Sequence, residues 1–143
     1  MGDRTTVLMK PIFDGVYASL DAIAQFETGR NERPKTTTGK FIDPPYAVLS
    51  IFPGGVQDGP LSDSQVDVTV RFRVAAVGKS ESEALVVADM CAARMKPSLV
   101  TVSGRTVRRI SKLSASSGSS RDDDVATPLF FSIEIYDVDT ALG

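Results

Sequence analysis

Val66-Asp67-Val68-Thr69-Val70-Arg71-Phe72-Arg73-Val74 alternates apolar and polar side chains over nine residues. Period two marks a β-strand with one apolar and one polar face. A register slip of one residue would turn five apolar side chains to water, so the pairing of this strand is firmly set. Half-polar strands need only one covered face, which favours an antiparallel sheet over a doubly wound parallel one. Directly after it, Gly78-Lys79-Ser80 leads into a helix expected over Glu81 to Lys96. Ser80 and Glu83 have capping-box spacing, Glu81 and Glu83 suit the first turn, and Arg94 and Lys96 suit the last. Ala84, Ala88, Cys91 and Met95 form its apolar stripe, with Leu85, Val87 and Ala92 beside them, and Pro97 ends it.

Before the alternating strand, Tyr46-Ala47-Val48-Leu49-Ser50-Ile51-Phe52 is apolar on both faces and predicts a central strand. Pro53 to Ser64, rich in glycine and proline, predicts a loop. Upstream, Ile12, Val16, Leu20 and Ile23 predict a helix over Lys10 to Ala24, with Phe13, Tyr17 and Ala24 widening the stripe. Pro11 suits its first turn, which makes Thr5 to Met9 an extended lead-in. Asp14, Ser19 and Asp21 read as its solvated face. Phe26 to Asp43 is polar and basic and predicts a short strand near Phe26 followed by a long loop.

Downstream, Leu99 to Leu113 predicts one bent strand or two short ones, broken near Ser103-Gly104. The serine-rich Ala115 to Asp124 predicts a mobile loop. A last strand over Leu129 to Val138 is expected to turn Leu129, Phe131, Ile133 and Ile135 to one face and Ser132 and Glu134 to the other. No internal repeat is visible. The expectation is one α+β domain over residues 1–143, a mainly antiparallel sheet with two helices packed on one face. Long loops are expected near residues 28–43, 53–64 and 114–127.

Composition narrows the function. The 143 residues carry 16 Lys+Arg against 18 Asp+Glu, so there is no basic excess of the kind nucleic-acid binders show. With no histidine and one cysteine, Ser-His-Asp, Cys-His and His-ligated zinc chemistries are excluded, as is a disulfide framework. No apolar run approaches a membrane span, and the N-terminus lacks a signal-peptide core, so cytoplasmic synthesis without a membrane partner is expected.

The remaining motifs read as structural. Gly78-Lys79-Ser80 resembles the end of a P-loop, but Arg73 stands where that loop needs its earlier glycine, and Val74 to Val77 reads as strand. Cys91 falls mid-helix on the apolar stripe and reads as packed core. Asp122-Asp123-Asp124 reads as a solvated acidic tip rather than a cation cage. No catalytic residue, cofactor or metal ligand is expected, and the chain is not expected to be an enzyme. The candidate contact residues are Arg71 and Arg73, on the polar face of the alternating strand, with Arg105, Arg108 and Arg109 beside Lys112. Arginine is enriched at protein interfaces.

The order of elements resembles the tail-terminator (tail-completion) proteins of long-tailed bacteriophages. The resemblance rests on the helix Pro11 to Leu20, the basic loop after it, and the strand start Pro45-Tyr46-Ala47-Val48-Leu49. It continues through the strand-turn-helix from Val68 to Arg94, with Gly78-Lys79-Ser80-Glu81-Ser82-Glu83-Ala84 at the turn, and the closing strand Phe130 to Val138. These segments span most of the chain.

That resemblance implies a structural virion protein at the head-proximal end of the tail. It would cap the tail tube as a ring, usually of six subunits, end tube polymerisation and offer the head-joining surface. The implied partners are further copies of itself, the tail tube protein and a head-completion or neck protein. Genomic DNA would pass through the lumen without sequence-specific binding. The resemblance makes Arg71, Arg73, Arg105, Arg108 and Arg109 candidates for subunit or tube contact. Two rivals remain: a head-completion or neck ring protein of the same virus, and a small ligand-binding module or enzyme, which would need a concave apolar pocket.

Overall fold

In the computed structural model, residues 4–58, 67–120 and 129–142 are described. Two helices and five strands follow in the order α1 (Arg4–Asp21), β1 (Glu27–Arg30), β2 (Tyr46–Asp58), β3 (Asp67–Gly78), α2 (Glu81–Arg94), β4 (Arg105–Ser120) and β5 (Leu129–Leu142). The strands form one sheet in the order β1-β2-β3-β5-β4. Only the β1–β2 pair is parallel, so the α+β fold with a mainly antiparallel sheet stands as expected.

β3 is central and behaves as its alternation demands. Val68, Val70, Phe72, Val74 and Ala76 are buried beneath the helices, whereas Thr69, Arg71, Arg73 and Ala75 lie on the other face, half-buried. Val66, which opens the pattern, lies outside the described residues. The inner residues meet Ile12, Phe13, Val16 and Leu20 of α1 and Val87, Ala88 and Cys91 of α2 in one core. Phe13 and Phe72 pack with ring centroids 6.1 Å apart, tilted by 43°.

Several boundaries move. α1 begins at Arg4 and carries Pro11 inside it, so the segment expected as an extended lead-in is helical. Proline removes one N–H of the ladder, a local cost that burial of Ile12, Phe13 and Val16 outweighs. Ser19, expected on the solvated face, is buried: its Oγ donates to the Arg94 carbonyl at 2.8 Å, while Arg94 Nε donates back to the Ser19 carbonyl at 3.0 Å. This reciprocal pair ties α1 to the end of α2. Ala24 is exposed rather than part of the stripe. α1 also passes so close to the backbone of Thr101 that a Cβ at Gly15 would collide with the Thr101 carbonyl.

The loop expected over residues 53–64 is strand as far as Asp58. Ile51 faces Phe72 and Val56 faces Val70, so the Pro-Gly-Gly segment is absorbed as a bulge instead of ending β2. Likewise β4 runs through Ser120, and the part of the expected 114–127 loop up to that residue pairs with β5. Residues 59–66 and 121–128, including Asp122-Asp123-Asp124, lie outside the described residues. Of the loop expected near 28–43, Thr28 to Arg30 belong to β1, and only the basic segment after that strand is loop, pinched by a bridge between Lys35 and Phe41. Leu99 to Val102 is not strand. The chain turns through Ser103-Gly104, where Gly104 holds φ +74, before β4 starts.

β5 keeps the two faces expected of it, and the structure shows which of them meets the helices. Its helix-facing side is Ser132, Glu134, Tyr136, Val138 and Thr140, all buried, while Leu129, Phe131, Ile133 and Ile135 are half-exposed on the opposite face. Register with β3 imposes this, because Tyr136 pairs with Phe72 and Val138 with Val70.

Candidate functional site

The face of the sheet turned away from both helices is built by register. On β3 and β5, Ala75 stands beside Ile133, Arg73 beside Ile135, Arg71 beside Asp137 and Thr69 beside Asp139. β2 extends the rows with Val48 and Ser50 next to Ala75 and Arg73. β4 adds Ser116, Ser114, Ser111 and Arg109 next to Ile133, Ile135, Asp137 and Asp139. The result is an apolar band, Val48-Ala75-Ile133, grading through Arg73 and Ile135 into a charged band. Its apolar members are half-buried although no described helix covers them.

The five candidate arginines separate on this scaffold. Arg71 is engaged within the chain: Nε donates to Asp137 Oδ1 at 2.8 Å and Nη2 to Oδ2 at 3.2 Å. The Asp137 hydrogen bond raises the guanidinium pKa above its ordinary value. Arg73 lies half-buried between Ser50 and Ile135, its side chain making no hydrogen bond or ion pair among the described residues. Arg109 is exposed on the same outer face, in register with Asp139. Arg108 is exposed and falls where the β4 register shifts.

Arg105 faces the other way, into the fold. It is buried, and its Nε donates to Thr140 Oγ1 at 2.9 Å, while that hydroxyl donates to the Val68 carbonyl at 2.9 Å. This chain of hydrogen bonds ties the start of β4 to β5 and β3. Arg71, Arg73 and Arg109 therefore share one face, and Arg105 does not join them.

The basic loop is folded onto aromatic rings. The Arg30 guanidinium lies 5.0 Å from the Phe13 ring and 4.6 Å from the Tyr17 ring, and it pairs with Asp14. Hydrogen bonds from Lys10, then Arg30, hold the Asp14 carboxyl below its ordinary pKa. Arg33 lies over Phe41 and Tyr46 at 5.5 and 5.1 Å and donates to the Ile42 carbonyl at 2.9 Å. Beside them, an open cavity of ≈ 250 Å³ is lined by polar and charged residues from Tyr17 and Glu27 to Lys35. Ligand sites are usually larger and mainly apolar.

The remaining motifs are accounted for by local structure. Ser80 caps α2, its Oγ accepting from the Glu83 N–H at 3.1 Å, while Glu83 Oε1 accepts from the Lys79 N–H at 2.8 Å. Val74 to Gly78 is strand, so no loop of amides stands before the helix to cradle phosphate. Cys91 is fully buried, and burial, reinforced by Glu134, pushes its thiol up to about 12, far from a nucleophile at neutral pH. Among the described residues no cluster of three or more Cys, Asp or Glu could hold a metal ion. No described helix is long and apolar enough to cross a membrane.

Sequence reasoning put Leu129, Phe131, Ile133 and Ile135 together on one face of β5 but did not say that this face turns away from the helices. It also placed Leu85 beside the buried stripe of α2, where the structure exposes it. The available signal was Tyr136 and Val138, apolar on the other parity of β5 and matched to Phe72 and Val70.

No family model and no curated protein matches the chain. Among solved structures, the fold is similar to a chain described as belonging to the virion of a native gene transfer agent (GTA) particle. The TM-score is 0.63 at 13% identity, with 94% of this chain and 97% of the other covered.

Proposed function

We propose that this chain is a structural subunit of a phage-like virion that acts without catalysis, by the surfaces it shows to copies of itself and to other virion proteins. The observation that carries the reading is the likeness of nearly the whole fold, end to end, to a chain in a gene transfer agent virion. Agreement over 94% of this chain and 97% of the other supports a shared overall fold rather than a shared fragment. The uncovered apolar band of the sheet supports the same reading, since such patches mark interaction sites.

The finer assignment is a tail terminator. The protein caps the head-proximal end of the tail tube as a ring, ends polymerisation and presents the surface that joins the head. It rests on the element order, on the helix, strand-turn-helix and closing strand described above, and on Arg73 and Arg109, which offer charge on the outer face. The experiment mixes the purified chain with tail tubes and, separately, with tailless heads of the phage-like element that encodes it, and images both. Rings on one end of the tubes support the assignment. Binding to heads and never to tubes overturns it in favour of a head-completion or neck protein. A substrate turned over by the purified chain would overturn the structural reading altogether.

A further inference from the structure

Among the described residues, two surfaces on opposite sides of the two layers are left uncovered. One is the outer sheet face, with Ala75, Ile133 and Ile135 around Arg73. The other is the outward side of α2. There Leu85 and Val86 are 43% and 49% exposed, and Glu81 and Asp89 are exposed beside them. Glu81, Leu85 and Asp89 succeed one another at intervals of four, so they form one ridge. The α2 positions Ala84, Val87, Ala88 and Cys91 are buried inside the subunit, whereas Leu85, Val86 and Asp89 stay exposed and Glu81 borders a cleft with Ser117, Gly118 and Phe130.

The two surfaces are complementary in charge. Arg73 is a half-buried cation on an apolar face, and it has no ion pair among the described residues. A guanidinium in that setting gains from an acidic partner, because the surrounding apolar groups displace water and strengthen the attraction. Glu81 and Asp89 form no ion pair among the described residues either. They bracket an apolar pair suited to Ile133, Ile135 and Ala75. At about 21 Å for its 14 residues, α2 is long enough to lie across the width of β2, β3, β5 and β4, whose neighbouring spacing is about 4.8 Å.

We propose that the outward ridge of α2 on one copy seats on the outer sheet face of the next, with Leu85 and Val86 against Ala75, Ile133 and Ile135, and Glu81 or Asp89 on Arg73. The occupant is a second copy of this chain, and the proposal rests on the assembly reading above. Because the two surfaces differ and lie on opposite sides, the contact is heterologous. Repetition makes a ring if the rotation closes and an open filament if it does not.

The test is a cysteine pair, Val86→Cys with Ile135→Cys, in the full chain under mild oxidation; buried Cys91 stays out of reach of exchange. Head-to-tail contact yields a covalent ladder of dimers, trimers and higher species, whereas either single variant stops at dimers. Arg73→Glu in that background lowers the ladder yield about tenfold, since an attractive pair becomes a like-charge contact. Adding Glu81→Lys and Asp89→Arg to the same chain restores it. Glu81, Val86 and Asp89 are exposed and Arg73 and Ile135 half-buried, and an unchanged thermal melt confirms folding. A double-cysteine chain that links no further than the single variants overturns the interface, as does a ladder indifferent to Arg73→Glu. Tube-end imaging of the unmodified chain is scored separately. Decorated tube ends without a ladder remove this interface and keep the tail role, and a ladder without tube binding does the reverse.

Discussion

Glu134 sits on the helix-facing side of β5, almost fully buried, with Lys112 Nζ 2.5 Å from Oε2 and no hydrogen-bond partner for Oε1. A buried carboxylate left without its cation costs more than the pair itself contributes. Lys112 is about half exposed, so water screens part of that cost. Lys112→Ala is expected to destabilise the fold by about 1–3 kcal/mol in denaturant melts, whereas Glu134→Gln, which keeps shape and removes charge, costs less. Two acids beside Glu134 set the alkaline limb. Burial, then the Glu134 charge, raises the Cys91 thiol from 9.0 to about 12 and raises the Tyr136 phenol above its ordinary 10.0. Both folded values lie above the unfolded ones, so the folded state holds these protons more tightly. That contribution is complete below about pH 9 and fades as pH climbs toward 12. Melts recorded from pH 8 to 11 should show stability falling, and Cys91→Ala should shallow the fall. An unchanged slope would mean that the thiol is not desolvated as the packing implies.

At the scale of elements, the alternation of β3 and the caps of α2 were legible because each is a local pattern that tertiary contacts reinforce. Ser80→Ala should lower stability by about 1 kcal/mol, the usual value of an N-cap hydroxyl. Gly15→Ala should cost more than an ordinary helical Gly→Ala, which is normally stabilising, because its Cβ would meet the Thr101 carbonyl. A variant as stable as the parent in thermal melts would contradict the close approach of α1 to that turn. Other features were not legible locally. β5 offers apolar residues on both parities, and only its pairing with Phe72 and Val70 decides which parity faces the helices. The polar inner residues are tolerated because Arg105 and Val68 satisfy Thr140 and Lys112 engages Glu134. Pro53-Gly54-Gly55 is a turn signal by composition, yet β3 continues opposite it, so the segment bulges and the strand goes on. Of the candidate contact residues, the strand pattern rightly sent Arg71 and Arg73 to the outer face. Nothing in the sequence distinguished Arg105, whose burial depends on a threonine 35 residues away.

Among the described residues the molecule is a two-layer body with one sheet face left open, an asymmetry that the proposed assembly role would use. The helices close one side of the sheet and leave Val48, Ala75, Ile133 and Ile135 as a half-exposed band on the other. The acidic ridge of α2 faces the opposite direction. On the proposed reading the chain acts by where it binds, and that reading expects its function to appear in the dimensions of the particle rather than in turnover. For the proposed reading, the most direct measurement is the tail-length distribution, by electron microscopy, of particles produced with and without this gene in a phage-like element carrying it. Loss of the gene should give tubes of irregular, extended length that fail to join heads, with normal length restored by the intact chain. Particles of unchanged tail length, joined to heads as before, would contradict the tail-terminator account.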